Sequence, residues 1–264
     1  MSEFDSYVVF DTETTGMPPG ARIIEIGALK IIDNTIVDTF EILLNPECDI
    51  PFNVIRVHGI DNSMVDNSPA AADALPDFID WCEDLALVGH NVSFDAAMLA
   101  SELWRANLPT GKNGTYCTLS ASRKLLQQKS NSLSDLVSAL SLPNQTSHRA
   151  LADAENTYHL LLHIIELHGA ETCWSKMGNG APLSGFRPSQ VKLPRRFHAL
   201  RTAAENKGLV TIDYRLTNGR NYIIKVHPRL IYNSGSRIIM EAVCDSSGVT
   251  KTYLLDSILS IDKS

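Results

Sequence analysis

The run Tyr7-Val8-Val9-Phe10 reads as a buried strand, and it leads directly into Asp11 and Glu13. Side chains two apart on a strand point to the same side. Two like charges therefore face one spot, beside a core that disfavours both. Something at that spot should compensate them, and a divalent cation is the obvious candidate.

Around this pair the chain alternates strand and helix patterns. Residues 7–11, 22–32 and 36–44 read as three strands rich in Ile and Val, separated by the turn residues "GMPPGA" and "DN". A helix is expected over 70–81, a short buried strand over 85–90, and a second helix over 94–106 from the spacing of Met98, Leu99, Leu103 and Trp104. "TYCTL" reads as another short strand, followed by helices near 120–126 and 132–140 and a long one over 150–168. Three meandering strands and then strand and helix in alternation predict an α/β fold, a mixed sheet flanked by helices.

Residues 169–190 are rich in Gly, Pro and Ser and read as a linker, which sets a first domain at 1–168. Beyond it the texture changes. One helix is expected over 194–207, with Pro194 at its first turn and Gly208 just past its end. Short strands follow at 210–216, 222–226, 238–244, 252–255 and 258–261, with an Asn-Gly hairpin signature in "TNGR". Residues 191–264 thus form a small, mostly β domain.

Charge divides the same way. Residues 1–184 hold 10 Lys+Arg against 24 Asp+Glu, a net of -14; residues 185–264 hold 13 against 6, a net of +7. A basic tail on an acidic body suggests contact with polyanions, the alternative being a solvated surface without a partner. No apolar run approaches the ~18 residues of a membrane span, and "MSEFDSYVVF" lacks the basic-then-apolar layout of a signal peptide. The five cysteines are scattered and contain no CxxC pair. That argues against a disulfide framework or zinc site and for a reducing cytoplasm.

Two further stretches carry chemistry. "GHNVSFD" places Asp95 at a helix start just after a strand, where the helix dipole alone would also favour an acid. "HRALAD" places Asp153 on the long helix, with His148 five residues earlier. Five helical positions turn through about 500°, about 140° off a common face. Both point at one site only if His148 lies before the helix, where it also reads as a cap. Four carboxylates and a histidine suit phosphodiester cleavage with two divalent ions about 3.5–4 Å apart. All-oxygen ligands favour Mg²⁺ or Mn²⁺ over Zn²⁺, and an imidazole can take the proton of the attacking water.

These stretches, "FDTETTG", "GHNVSFD" and "HRALAD", resemble the three motifs of the DEDDh family, the DnaQ-like 3′→5′ exonucleases with an RNase H-like fold. The family's other branch has tyrosine where Arg149 stands here, so the histidine branch is the match. "RVHGI", "CTL" and "NSLSDLVSALSL" extend the resemblance over about residues 5–168. It implies that Asp11, Glu13, Asp95 and Asp153 bind two Mg²⁺ or Mn²⁺ ions and that His148 is the general base. It implies further that Thr14 and Gly16 approach the terminal nucleotide and that His90, Asn91 and Phe94 line the cleft, Phe94 reading either as a stacking surface or as a core aromatic. His58 and Ile60 stand where the family has a wedge beside the 3′-terminal base, or else are packing. The implied substrate is nucleic acid with a free 3′ end, DNA before RNA, cut to nucleoside 5′-monophosphates. An exoribonuclease, a polymerase- or repair-associated role, and a non-catalytic nucleic-acid or nucleotide sensor remain open.

In the tail, Lys192, Arg195, Arg196 and Arg201 crowd a helix start around Phe197 and His198, which suits either a phosphate backbone or a solvated helix face. Residues 209–261 resemble the WYL domain, a small SH3/Sm-like β-barrel, through "VTIDYR", "VHPRLIY", "RIIMEAVC" and "YLLDSI". Ile238-Ile239-Met240 replaces the naming triplet, and Ser257 replaces the usual basic residue. Tyr214, Arg215, His227, Arg229 and Arg237 are expected to form a basic patch for nucleic acid or a nucleotide.

Overall fold

The strand that opens with Tyr7-Val8-Val9-Phe10 runs on to Thr14 (β1, Tyr7–Thr14), and its first four side chains are all buried. Only a strand covered on both faces carries such a continuous apolar run. In the computed structural model, which describes residues 4–17, 20–143, 148–188, 191–216, 218–234 and 237–263, β1 is central in a six-stranded sheet. It pairs antiparallel with β2 (Ile23–Ile32) and parallel with β4 (Ala86–Gly89). β3 (Thr35–Leu43) forms the outer edge beside β2 and exposes most of its side chains, as suits an edge rich in Thr, Asp and Glu. On the other side, β5 (Gly114–Cys117) runs parallel to β4, and β6 (Ala181–Pro182) closes the order β3-β2-β1-β4-β5-β6.

The alternation along β1 sorts the helices into two layers. Val8 and Phe10 join a core with Leu75 and Phe78 of α3 (Ala71–Cys82) and with Leu99 and Leu103 of α4 (Ser93–Arg105). Tyr7 and Val9 face the other way, toward Leu160, Leu161 and Ile164 of α7 (Ala150–His168). Continuing the period of two, Asp11 and Glu13 fall on the α7 side and Thr12 on the α4 side. α5 (Thr118–Leu125) and α6 (Leu133–Ala139) complete the second layer. α1 (Phe52–His58) and α2 (Asn62–Val65) occupy a stretch that the hydrophobic pattern leaves unassigned, and Gly59 ends α1 in a left-handed turn at φ 75°. Among the described residues, no helix is long and apolar enough to cross a membrane.

Residues 169–190, expected as a linker, instead hold α8 (Ala170–Met177), β6 and a 3-10 turn at Leu183–Phe186. Trp174 of α8 is 2% exposed; its ring stacks on Phe4 at 4.6 Å and meets Tyr7 and Tyr116 edge-on at 5.2 and 5.1 Å. Hence the first compact unit is Met1–Arg187, and the second is Pro188–Ser264.

The second unit departs from the expected closed SH3/Sm-like barrel. Its strands are β7 (Val210–Arg215), β8 (Asn221–Ser234), β9 (Arg237–Cys244), β10 (Thr250–Leu254) and β11 (Ile258–Lys263). They form an open antiparallel sheet in the order β10-β9-β8-β7-β11. A 3-10 turn at Leu255–Ser257 carries the chain from one edge strand to the other. The β10 end approaches β7 through side chains, not a backbone ladder: the Leu254 amide donates to Tyr214 Oη at 3.2 Å, and the Tyr214 and Tyr253 rings meet edge-on at 5.2 Å. β8 is also longer than expected. It continues past Val226 through Pro228, where a bulge between Pro228 and Leu230 accommodates the missing amide. The expected helix at 194–207 divides into a 3-10 turn at Arg195–Phe197 and α9 (His198–Glu205), with Phe197 and Leu200 buried against the sheet.

Trp174→Ala is expected to destabilise the first unit by about 3–5 kcal/mol, as large-to-small core changes do. Urea denaturation of the variant checks it; a cost near zero would restore residues 169–187 to a linker.

Candidate active site

Gly27 of β2 is the register partner of Asp11. A Cβ on Gly27 would lie 2.0 Å from the Leu151 nitrogen and 2.3 Å from the Ala150 carbonyl carbon. The first turn of α7 therefore rests on bare β2 backbone beside Asp11, a contact open to glycine alone. Two pairs along, on the same face, Glu25 lies opposite Glu13 and is fully buried. Its carboxylate accepts from the Ala150 amide at 2.8 Å and from Arg149 Nε at 2.9 and 3.1 Å, and Arg149 Nη2 closes a bidentate pair. Glu25 thus satisfies one of the free amides at the start of α7 with a charge of the sign its dipole favours.

This docking delivers Asp153, in the first turn of α7, to the strand carboxylates. Asp11, Glu13 and Asp153 each offer an oxygen, and these atoms all lie within 4.8 Å of one another. The His148 amide donates to Asp153 Oδ2 at 2.9 Å and Asn156 Nδ2 to Oδ1 at 3.4 Å, which orients that carboxylate. Asp95 approaches from the α4 side. It is 3% exposed, and its Oδ1 accepts from the Thr12 amide at 3.1 Å and the Thr12 hydroxyl at 2.7 Å. Asp95 stands outside the triad of converging oxygens, yet its charge acts on Asp11.

The electrostatics follow. Burial, then the charges of Asp95, Asp153 and Glu13, push the Asp11 carboxyl well above the usual range. Burial and Asp153 raise Glu13 to about 8, opposed by Arg149. Burial raises Asp95 to about 7 against the two Thr12 hydrogen bonds, and it raises Asp153 against the His148 amide. A set of oxygen donors this reluctant to ionise together fits a hard divalent cation, which would reverse the local field.

His148 lies before α7, as the spacing requires, on a left-handed backbone at φ 68°, with its side chain exposed. Residues 144–147 of its loop lie outside the described residues. Thr14 donates its hydroxyl to the Gly16 carbonyl at 2.8 Å, tightening the turn after β1. Asn91 is exposed on a left-handed backbone at φ 66° ahead of α4. Other expected contacts are wholly or partly engaged in the fold. Both ring nitrogens of His90 are engaged, by Thr118 Oγ1 at 3.0 Å and the Asn131 carbonyl at 2.9 Å. Ile60 is fully buried beside Ile24, Ile50 and Val65, so it packs and does not present a wedge. Phe94 is half-buried against the α3–α4 core. His58 is buried, its Nδ1 accepting from the Ile60 amide at 3.0 Å; burial lowers its pKa, with Glu25 opposing.

The expected basic patch of the second unit is dispersed. Arg215 pairs with Asn221 and Arg237 with Ser234, at opposite ends of β8, a strand of 14 residues and roughly 40 Å at its usual rise. Arg229 is exposed between them beside the bulge. Tyr214 is engaged by Leu254, and His227 reaches Asp245 at 3.3 Å. Arg201 donates to the Val191 carbonyl, Arg196 lies 4.5 Å over the Phe197 ring, and Lys192 and Arg195 are exposed. Sequence reasoning missed Glu25, Gly27 and Thr12 altogether; the single acid inside the largely apolar "IIEIGALKII" was the available signal.

Two outcomes are expected. Carboxyls raised on folding stabilise the protonated state, so metal-free protein should lose stability as pH rises from about 4 toward 8, through the raised values of Asp95 and Glu13. Melting curves in EDTA check the direction, and Mg²⁺ or Mn²⁺ should recover most stability at the alkaline end. Glu25→Ala should cost about 1–3 kcal/mol by leaving the Ala150 amide unsatisfied, with Glu25→Gln intermediate, both measured by urea denaturation.

A family model described as Exonuclease matches residues 8–161. DNA polymerase III PolC-type from Caldanaerobacter subterraneus subsp. tengcongensis is 38% identical over 162 residues, 61% of this chain and 12% of that protein, so the chain spans a small part of such relatives. Exonuclease X, solved in complex with 5′ overhanging duplex DNA, is 30% identical with a TM-score of 0.53, over 65% of this chain and 99% of that one. Exonuclease I shares the fold, with a TM-score of 0.58 at 14% identity over 98% of this chain and 64% of that one. The family match spans the strand carrying Asp11 and Glu13, the start of α4 and the docked end of α7, and the chain belongs to the exonuclease family.

Proposed function

We propose that the chain is a metal-dependent 3′→5′ exonuclease of the DEDDh type that shortens DNA from a free 3′ end and releases nucleoside 5′-monophosphates. The observation that carries this reading is the convergence of Asp11, Glu13 and Asp153 oxygens within 4.8 Å. Asp95 completes the set as the fourth ligand of a two-ion site for Mg²⁺ or Mn²⁺. The preference for DNA draws support from the polymerase relatives and from the DNA complex of exonuclease X. A polymerase partner accords with the same relatives, and five free cysteines accord with a reducing cytoplasm.

Bound ions would supply a water acidic enough to attack phosphorus and a counter-charge for the departing 3′ oxygen. The chain's own groups do the rest. Asp11 and Glu13 would hold the ions from the strand and Asp153 from the helix, while Thr12 keeps Asp95 aligned through two hydrogen bonds. His148 would take the proton from the attacking water as the P–O3′ bond breaks; the 3′ oxygen leaves as an alkoxide and takes a proton from solvent to become the new hydroxyl. Its place ahead of α7 lets the imidazole swing while its amide stays on Asp153. The turn at Thr14 and Gly16 brings main chain to the terminal nucleotide, with Asn91 and the exposed part of Phe94 lining the approach. His58, His90 and Ile60 hold that wall from behind through packing and hydrogen bonds.

The test uses 5′-labelled single-stranded DNA and RNA of one sequence, with Mn²⁺, with EDTA, and with Asp11→Ala protein. A metal-dependent ladder shortening from the 3′ end and absent in Asp11→Ala is expected, with DNA cut faster. His148→Ala should lower the rate by about 10²–10⁴-fold while Mn²⁺ still raises the melting temperature. A faster RNA ladder would reassign the substrate, and no ladder on either strand would leave a binding module.

A further inference from the structure

A second set of buried charges lies on the same helix as Asp95, outside the cluster of site carboxylates. Glu102 of α4 is 1% exposed, and Arg22, just ahead of β2, is 7% exposed. Seven positions separate Asp95 from Glu102, which leaves them about 20° off a common face. Both accept hydrogen bonds from the β1–β2 hairpin. Asp95 takes the Thr12 amide and hydroxyl, and Glu102 Oε1 takes Arg22 Nε at 2.8 Å and the Ile23 amide at 3.1 Å. Arg105 Nη1 approaches the same oxygen at 3.4 Å. Burial opposes the charge on Glu102, but Arg105 and Arg22 outweigh it and hold the carboxyl below its usual range. The chain itself compensates this acid, unlike the four carboxylates of the site.

The pair sits at an irregularity in the hairpin. Glu13 pairs with Glu25 but Thr14 with Ile23, so Ile24 is the extra residue of a bulge. A bulge beside a site interrupts the ladder and re-aims the strand. Glu102 takes the Ile23 amide just past it, and the Ile24 carbonyl accepts from the Leu44 amide at 2.8 Å. Beyond the bulge Arg22 closes the hairpin. Its amide donates to Thr15 Oγ1 at 2.8 Å, and its carbonyl accepts from the Thr15 amide at 2.9 Å. Its Nη1 donates to the Pro46 carbonyl at 2.7 Å. One residue thus joins the helix, the hairpin and the segment after β3.

The geometry points to Arg22 and Glu102 as positioning residues for 3′-end capture: they lock the Thr14–Gly16 turn to the helix that carries Asp95. That turn is the main chain brought to the terminal nucleotide, so the inference rests on the exonuclease reading. A buried ion pair adds little net stability over apolar side chains of like volume. What this one supplies is a fixed distance between the turn and Asp95. Its loss weakens the hold on the 3′ end and leaves the metal ligands in place, because Asp95 keeps its own two bonds to Thr12.

The test compares full-length wild-type protein with Glu102→Ala, Glu102→Gln and the triple variant Arg22→Met, Glu102→Met, Arg105→Met. All are assayed at a temperature where melting curves show them folded. The triple variant removes every charge of the cluster, so a folded protein remains available if Glu102→Ala does not fold. Shortening of 5′-labelled single-stranded DNA with Mn²⁺ gives KM and kcat separately. KM should rise about tenfold in Glu102→Ala and in the triple variant, with kcat within about threefold of wild-type. Glu102→Gln still offers an oxygen to the Ile23 amide and should recover most of that loss. The rise in melting temperature with Mn²⁺ should be the same in all four proteins. Amide hydrogen exchange, read without metal or DNA, follows the turn itself. The Thr15 amide should exchange about tenfold faster in the alanine and triple variants, while the Val9 amide within β1 exchanges as in wild-type. A folded triple variant with wild-type KM and wild-type Thr15 exchange would overturn the proposal, and so would a fall in kcat at unchanged KM. Absence of turnover in wild-type protein would overturn the exonuclease reading instead, and the Thr15 exchange rates would still decide whether the pair locks the turn.

Discussion

The first unit depends on one backbone-to-backbone contact, the seating of α7 on β2 at Gly27. A helix over a sheet is normally held off by side chains on both surfaces. Here a Cβ would meet the Leu151 nitrogen at 2.0 Å, so the glycine removes that spacer at one point only. Because Gly27 is the register partner of Asp11, the closest approach of the helix falls beside the first strand carboxylate. A one-residue slip of β2 would present Ile26 or Ala28 there and turn Glu25 to the wrong face. Glu25 reinforces the seating by tying the Ala150 amide and the Arg149 guanidinium to β2. Burying such an ion pair adds little net stability; what it adds is a single allowed position for the first turn of α7.

That position is occupied at a cost. Asp11, Glu13, Asp95 and Asp153 are all harder to ionise than free carboxylates, chiefly because they are buried and secondarily because they face each other. Two residues in left-handed backbone add to it. Asn91 precedes the helix that bears Asp95, and His148 precedes the helix that bears Asp153, with φ of 66° and 68°. Strain of this kind costs on the order of 1–3 kcal/mol each and persists only where surrounding packing enforces it. Asn is suited to that conformation and His less so. The left-handed turn at His148 keeps the imidazole free of the helix while its amide holds Asp153.

How much of this was legible depended on whether the signal was local. The carboxylates at the end of an apolar run, and the long period-3.6 helix at 150–168, needed no tertiary knowledge. α8 was hidden because its eight residues are too short to show a clear period and sit among Gly, Pro and Ser; its burial comes from Trp174 finding Phe4, Tyr7 and Tyr116. β8 was cut short by Pro228, which ends a regular strand but is admitted by a bulge that no local pattern announces. His90 and Ile60 lie near the expected cleft in sequence, yet they are engaged by Asn131 and Ile24, each more than thirty residues away along the chain. Glu25 was the one missed residue with a visible mark, since a lone acid in an apolar strand must be paired somewhere.

The charge asymmetry takes a different meaning once residues are placed. A net of +7 over residues 185–264 invited a basic surface for polyanions, but the arginines behind it are separated or engaged. Arg215 and Arg237 stand at opposite ends of β8, and Arg201 is spent on a main-chain carbonyl. Dispersed charge of this kind attracts a polyanion without orienting it. Orientation needs directional groups near one another, and strand register decides which groups those are. Net charge is thus a property of composition, whereas convergence is set by strand register, and the register here keeps Arg215 and Arg237 at opposite ends of β8.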